Sequence, residues 1–541
     1  MISKQLNQSF LTKEINIKDF TIFKESYLKI CADGYFEEKN DSFLSALLFE
    51  MTVSEDFFLK KNNLQSYLWA LPDITKEKIL SELDCDTINE VSWNLKTSNY
   101  FIDQLGLNSR FRFIESKIKK KKSSIQFFNK QELIFKNLKD YQSIIFHKCI
   151  EFIEKTPNSR CILQMPTGSG KTRTTMEIVC ELMNNTGKDV LWLANTQELC
   201  DQAMDSFIEV WHFLRKREGR VVNHQTNKDE IEVLNNIPTF HISTIQSFNK
   251  DDITLLLEKM NLDIKNLELV IVDEAHISIA PTYKRSILKI IDNGAKLIGL
   301  TATPGREMID LNSHNDENKA LSNFFHNKIF RIDSPRDQTV IEYLREKSII
   351  SNARFKSIEG STLNLELSKK QIQEIDIKKE IPKNIINILT NNSHRTSIIF
   401  NQLIKLIDEN KKILFFGTSI AHSKMICSLL LAKEVKCAHI DGGSGKYRRK
   451  IIDEFKNNKI QVLCNFGILS TGFDDPQIDV VFMARPTNSI VLYSQIIGRG
   501  LRGPKIGGTE NCEVFTVFDN ITNLPTNEKI SEYFDEYFII D

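Results

Sequence analysis

The chain has 541 residues, with 71 lysines and arginines balanced by 71 aspartates and glutamates, so about three or four domains fit and any surface for a polyanion must be a local stripe. Apolar residues at 41% and charged residues at 26% supply enough core to exclude a disordered protein. Ten cysteines scattered without a Cys-x-x-Cys pair argue against structural zinc and disulfides, and with no signal-peptide core or long apolar run the expectation is a cytoplasmic protein without a membrane partner.

Residues 1–125 read as helical, with apolar residues at mixed three- and four-residue spacing in DSFLSALLFEMTV and KEKILSELDCDTINEVSWNL. They end in a basic run, ESKIKKKKSS, which suits either a solvated linker or an arm that touches phosphates. From 126 to 308 the short apolar runs CILQM, DVLWLAN, LELVIVDEA and KLIGLTATP alternate with amphipathic stretches. That is the signature of βαβ units on a parallel sheet. Residues 309–392 are less regular and are expected to connect two units through helices and irregular chain. A second α/β series, KILFFGTS, KCAHIDG, IQVLCNF, IDVVFMARP and CEVFTVFDN, occupies 393–525 before a short acidic tail at 526–541. Two successive α/β sheets predict two domains with a cleft between them.

The most informative stretch is CILQMPTGSGKTRTTMEIV. A buried strand runs into the turn Thr167-Gly168-Ser169-Gly170 and then into a helix expected to begin near Lys171. The glycines can take the backbone angles that turn successive N–H groups onto a phosphate, and the helix N-terminus adds partial positive charge. Lys171 is placed to reach the outer phosphates, and the Thr172 hydroxyl to ligate Mg²⁺. Met165 stands where the usual G-x-x-x-x-G-K-[ST] pattern has its first glycine, so the strand–turn–helix setting carries the reading. In LELVIVDEAH, Asp273 and Glu274 fall where an apolar strand ends. Parallel α/β sheets hold ligands at the carboxyl ends of their strands, so this loop and the glycine turn, on a neighbouring strand, should face one crevice. Asp273 suits a metal contact through water, and Glu274 suits orienting or deprotonating an attacking water. The plain alternative for the two acids is a helix start.

Taken in order, MPTGSGKT, DEAH, LTATP, STGFDDP and QIIGRGLR resemble motifs I, II, III, V and VI of superfamily 2 helicases. The resemblance covers 129–520, and the wording is similar to that of bacterial type III restriction-enzyme motor subunits. It implies an α/β fold of two tandem RecA-like parallel-sheet domains beside the N-terminal α-helical accessory domain. It also implies ATP and Mg²⁺ as cofactors and an ATP-dependent helicase or translocase activity. Nucleic acid is the implied partner, DNA ahead of RNA, in a repair, restriction or phage-defence system. An RNA helicase, or an ATPase switch that separates no strands, stays as the alternative. The helical region is the expected docking point for a protein partner.

Residue by residue, the resemblance makes Arg499 and Arg502, one helical turn apart, arginine fingers that reach from the second domain to the γ-phosphate, with Gln495 beside them. Gln142 of NLKDYQ would read the adenine edge with Tyr141 packed nearby, and Gly472 and Asp474 would line the nucleotide site. His276, Thr301 and Thr303 would relay nucleotide state. Thr196, Gln197, Thr244 and Gln246 in the first domain, with Thr418, Ser419 and Thr471 in the second, would hold the nucleic-acid backbone rather than read bases.

Overall fold

The computed structural model describes residues 17–34, 73–91, 94–104, 137–225, 237–248, 262–292, 294–302, 316–378, 381–444, 447–469, 475–486 and 490–522, with isolated positions between 41 and 71 and at 135, 257, 260 and 473. The basic run at 117–124 and the tail at 526–541 lie outside the described residues. Among the described residues three helices come first, α1 (Ile17–Ala32), α2 (Asp73–Glu82) and α3 (Leu95–Gln104). The first lobe follows with α4 (Asp140–Lys155), β1 (Arg160–Gln164), α5 (Lys171–Thr186), β2 (Asp189–Ala194), α6 (Gln197–Leu214), β3 (Arg220–Asn223), β4 (Thr239–Thr244), β5 (Leu267–Asp273), α7 (Pro281–Ile291), β6 (Lys296–Thr301), α8 (Asp316–Phe324) and β7 (Ile329–Arg331). The short helix α9 (Val340–Glu346) leads into the second lobe. That lobe comprises β8 (Asn352–Glu366), α10 (Lys369–Lys378), α11 (Lys383–Thr390), α12 (Ser393–Asp408), β9 (Ile413–Phe416), α13 (Ile420–Ala432), β10 (Cys437–Ile440), α14 (Tyr447–Lys456), β11 (Val462–Asn465), β12 (Val480–Met483), α15 (Ile490–Ile497) and β13 (Asn511–Thr522).

The sheets run β3-β4-β2-β5-β6-β1-β7 and β10-β11-β9-β12-β13-β8, and their ladders are parallel. Helices cover both faces, which is why the strands read as unbroken apolar runs instead of alternating ones. Along β5, Leu269 and Ile271 join a core with Met176, Val179, Phe207 and Trp211 of α5 and α6. Val270 and Val272 point the other way, into a core with Ile287, Ile290, Leu321 and Phe324 of α7 and α8. In the second lobe β9 divides similarly. Leu414 and Phe416 share one core with Phe455 of α14, while Ile413 and Phe415 share another with Phe400 and Leu403 of α12.

One feature departs from the sequence reading and a second adds to it. The stretch expected to be only helical and irregular supplies an edge strand to each sheet, β7 beside β1 and β8 beside β13. An edge strand is half-exposed, so β8 mixes Arg354 and Lys356 with Ala353 and Phe355 and lacks the dense apolar signature. Second, Phe23, Tyr27 and Ile30 of α1 belong to the same core as α12. Asp33 accepts hydrogen bonds from Ser397 and from Asn401 (3.3 Å) of that helix. The first helix therefore packs on the second lobe.

At the carboxyl edge of the second sheet, Arg395 of α12 is wholly buried. Its Nε and Nη2 donate to Asp519 at 2.7 and 2.9 Å, Nη1 donates to Thr418 Oγ1 at 2.8 Å, and Nη2 also donates to the Ala484 carbonyl at 2.6 Å. One guanidinium thus joins the ends of β9, β12 and β13. A buried cation is tolerated only when fully paired, and removing one partner strands the other. Arg395→Leu is expected to cost about 3–5 kcal/mol by denaturant midpoint, with part of the loss restored by adding Asp519→Leu. An unchanged midpoint for the single variant would disprove the network.

Candidate active site between the two sheets

The first wall of the site is the turn after β1. Gly168 (φ 92°) and Gly170 (φ 87°) are left-handed, a backbone that other residues adopt only at a cost. Ser169 closes the turn on itself, its N–H and Oγ both donating to the Pro166 carbonyl at 3.1 and 2.7 Å. α5 begins at Lys171, with Thr172 beside it in the first turn. The first N–H groups of that helix have no intrahelical acceptor and form a ready anion site.

The second wall is the end of β5. Asp273 is buried, with its Oδ1 4.0 Å from Lys171 Nζ. Burial pushes its carboxyl above the usual range, while the cations of Lys171 and Arg499 pull the other way. Glu274 takes a left-handed backbone (φ 63°) at the strand end, a strained conformation that surroundings must enforce. It turns the chain into the short helix Ala275–Ile279, where His276 Nδ1 lies 3.6 Å from Glu274 Oε2. The sequence predicts the two loops on neighbouring strands. The structure inserts β6 between them, with Thr301 paired to Gln164 and Leu300 to Asp273. The Met165 N–H donates to the Thr301 carbonyl at 3.0 Å. Thr301 thus stands between the phosphate turn and the acidic pair, and Thr303 lies outside the described residues.

A third wall comes from the second lobe. Arg499 and Arg502 are not on a helix, because α15 ends at Ile497 and the chain runs on through a turn. The expected helical-turn spacing is therefore corrected, and the convergence arises from the turn. A methyl group on Gly168 would stand 2.8 Å from the Leu501 carbonyl oxygen and 3.1 Å from Arg502 Nη1. Arg502 thus lies against the phosphate turn. Arg499 donates from Nη1 to the Phe473 carbonyl at 2.7 Å and from Nε to the Gln495 carbonyl at 3.1 Å, close enough for its charge to act on Asp273.

The residues before β1 brace the phosphate turn. Gln142 has both ends of its amide engaged, Oε1 accepting from the Lys139 N–H at 2.9 Å and Nε2 donating to the Ser169 carbonyl at 3.1 Å. Through these bonds it holds the phosphate turn. Tyr141 Oη donates to that same Ser169 carbonyl at 2.7 Å. Burial pushes the Tyr141 hydroxyl pKa up, so it remains a donor. The direct role of Tyr141 was missed because a Tyr-Gln pair at a helix start has no signature of its own.

The residues expected at a nucleic-acid face divide into two groups. At the carboxyl ends of the paired strands β2 and β4, Thr196 caps α6 by accepting from the Leu199 N–H at 3.3 Å, and Gln197 is exposed. Thr244 Oγ1 lies 3.0 Å from Ser247 Oγ, and the exposed Gln246 donates to Asn195 Oδ1 at 2.7 Å. These four line one edge. In the second lobe Thr418 is fully buried, accepting from Arg395 and donating to the Ala484 carbonyl at 2.9 Å. Its hydroxyl serves the Arg395 network, which corrects its expected phosphate contact. Ser419 caps α13, accepting from the His422 N–H at 3.1 Å and from Thr390 Oγ1 at 3.0 Å. Thr471, Gly472 and Asp474 lie outside the described residues. A cross-lobe ion pair that the sequence did not signal, Glu198 with Arg448, closes this side of the cleft.

Comparison with known proteins follows the same division. The family described as type III restriction enzyme, res subunit, matches residues 135–306, and the helicase conserved C-terminal domain matches 398–503. IRC3 of Saccharomyces cerevisiae, whose name describes an ATP-dependent helicase, is 26% identical over 379 residues, 68% of this chain and 49% of its own length. The type I restriction enzyme EcoKI endonuclease subunit of Escherichia coli K12 is 23% identical over 412 residues, 68% of this chain and 33% of its own length. The chain thus spans half or less of these relatives. Among solved structures, the DUF1998 helicase MrfA bound to DNA shares the fold, with a TM-score of 0.50 and 15% identity over 74% of this chain and 48% of that one.

Helicase domains of this kind use ATP with Mg²⁺, and the site fits the pair. The turn and α5 offer N–H groups and Lys171 to phosphates, while buried Asp273 gains from a divalent cation the charge that burial denies it. Gly170→Ala would force a side chain into a left-handed turn and into the Gln142 amide. It is expected to weaken binding of a fluorescent ATP analogue by about tenfold or more, on a strain of about 1–2 kcal/mol. Unchanged affinity would show that the turn does not hold the nucleotide.

Proposed function

We propose, from the premise that this chain is a superfamily 2 helicase, that it is a nucleic-acid-dependent ATPase that moves on DNA by opening and closing the cleft between its lobes. The observation that carries this reading is Arg502 of the second lobe lying against Gly168 of the first. A site whose parts belong to two bodies is complete only when they meet, so hydrolysis and lobe motion become one event. In this reading Lys171, Thr172 and Asp273 hold ATP and its Mg²⁺, and the ion, when bound, neutralises charge on the outer phosphates. Glu274, fixed by its strained turn, orients the attacking water. Arg502, with Arg499 beside Asp273, stabilises charge that develops on the γ-phosphate.

DNA is favoured over RNA by the likeness to a restriction endonuclease subunit and to a helicase captured on DNA. On the same basis we place the chain as the motor of a larger DNA-processing system such as restriction, repair or phage defence. Thr196, Gln197, Thr244 and Gln246 line one edge and suit a backbone track without base reading. We assign α1 to α3 to an accessory module that docks a protein partner and travels with the second lobe, since α1 shares that lobe's core. Ten free cysteines fit a reducing, cytoplasmic setting.

Phosphate release measured without polymer and with double-stranded DNA, single-stranded DNA and RNA tests the proposal. Stimulation is expected with DNA, and one low rate in all four conditions would sink it. Glu274→Gln is expected to bind ATP and stall before hydrolysis. Arg502→Ala should bind the nucleotide nearly normally yet lose about 10³-fold or more of turnover, and normal turnover would refute the composite site.

A further inference from the structure

The motif that carries Arg499 and Arg502 is held by a segment to which no chemistry was assigned, the connector between the lobes. After α9 the chain turns tightly, with Ser348 left-handed (φ 55°) and the Ile349 N–H donating to the Leu344 carbonyl at 2.9 Å. Leu344, Ile349 and Ile350 are buried in a cluster that also contains Tyr141 and Leu163 of the first lobe and Val481 and Val514 of the second. The connector is therefore a packed strut.

It grips the loop after Arg499 at several points. The Gly503 N–H donates to the Ile349 carbonyl at 2.9 Å, and the Lys505 N–H to the Ser348 carbonyl at 3.1 Å. Ser351, wholly buried, places its Oγ 2.6 Å from the Arg502 carbonyl oxygen and 2.7 Å from that of Thr509, so a single hydroxyl proton is shared by the two ends of one loop. Gly508 packs against the same Arg502 carbonyl, where an added methyl would run into the oxygen. With the carbonyl held by Ser351 and packed against Gly508, the Arg502 side chain reaches Gly168. Next in the chain, the Asn352 N–H donates to the Glu510 carbonyl at 2.8 Å and starts the β8–β13 ladder.

We propose that Ser351 is a positioning residue for hydrolysis. Its hydroxyl fixes the Arg502 peptide against the connector and so aims the guanidinium at the phosphate turn. The inference rests on Arg502 acting in the composite site. It adds that the aim is set by a residue about 150 positions upstream, on the strut that packs against both lobes. Losing the donor leaves two buried carbonyls to share no proton, and the loop relaxes by a fraction of an ångström. Small misplacements of a catalytic group are expensive in rate and cheap in binding.

The test is a double-mutant cycle on the full chain, read as DNA-stimulated ATP hydrolysis, with thermal unfolding and ATP-analogue binding measured alongside. Ser351→Ala is expected to lower kcat by about 10- to 100-fold, with KM for ATP within about twofold, and Ser351→Cys, a weaker donor of similar size, should fall between. In an Arg502→Ala background, Ser351→Ala should change the remaining rate by less than about twofold. Unchanged kcat in Ser351→Ala, or a loss that multiplies with that of Arg502→Ala, overturns the proposal while the composite site stands. Normal turnover in Arg502→Ala alone overturns both.

Discussion

Arg502 leaves the second lobe and rests on Gly168, where the first lobe's backbone turns left-handed. Most other features of the molecule are intelligible as ways of supporting or exploiting this contact. Lys171 and Arg499 face the buried acid Asp273, whose ionised form is disfavoured by burial and only partly favoured again by Lys171 from one lobe and Arg499 from the other, while Arg502 lies against the phosphate turn. Such a crevice is electrostatically suited to a polyanion with its own divalent ion. Arg499 belongs to the second lobe, so part of the charge that favours ionised Asp273 comes from across the cleft.

The packing around the cleft serves that dependence. Tyr141 and Gln142 hold the Ser169 carbonyl from outside and keep the phosphate turn in shape. Arg395 joins three strand ends beneath the second lobe's cleft edge, so Ala484, from which the chain proceeds toward α15 and the arginines, is fixed in the sheet. A fully paired buried guanidinium of this kind is rigid, since any one lost partner leaves uncompensated charge. Because α1 shares a core with α12, the early helices and the second lobe form one apolar body. Glu198 and Arg448 pair across the opposite side of the cleft, near the edge lined by Thr196 and Gln197. Opening the lobes must break that ion pair as well as the Arg502 contact.

Much of this could be read from residue order alone. Every dense apolar run, from CILQM to CEVFTVFDN, became a strand of a parallel sheet, because strands buried on both faces leave no polar alternation. The glycine turn, Lys171 and the acids at 273 and 274 were legible because phosphate binding imposes local rules, a left-handed backbone followed by a helix start. Edge strands β7 and β8 escaped because half-exposed strands carry mixed residues, and β3 and β4 because they bury Arg220, Asn223, Thr239, His241 and Ser243 among their apolar residues.

Sequence therefore determined the two sheets, their order along the chain and the chemical identity of the phosphate turn, since each follows from residues within a few positions of one another. Tertiary structure alone decided which partners meet. Thr418 went to a buried arginine and not to a phosphate, and Gln142 to the Ser169 carbonyl. Ser351 took hold of Arg502 and Thr509 across some 150 residues. A hydroxyl or amide has no intrinsic preference among acceptors. Its partner is whichever one the surrounding apolar packing brings within hydrogen-bond reach, and that packing is a property of the whole fold.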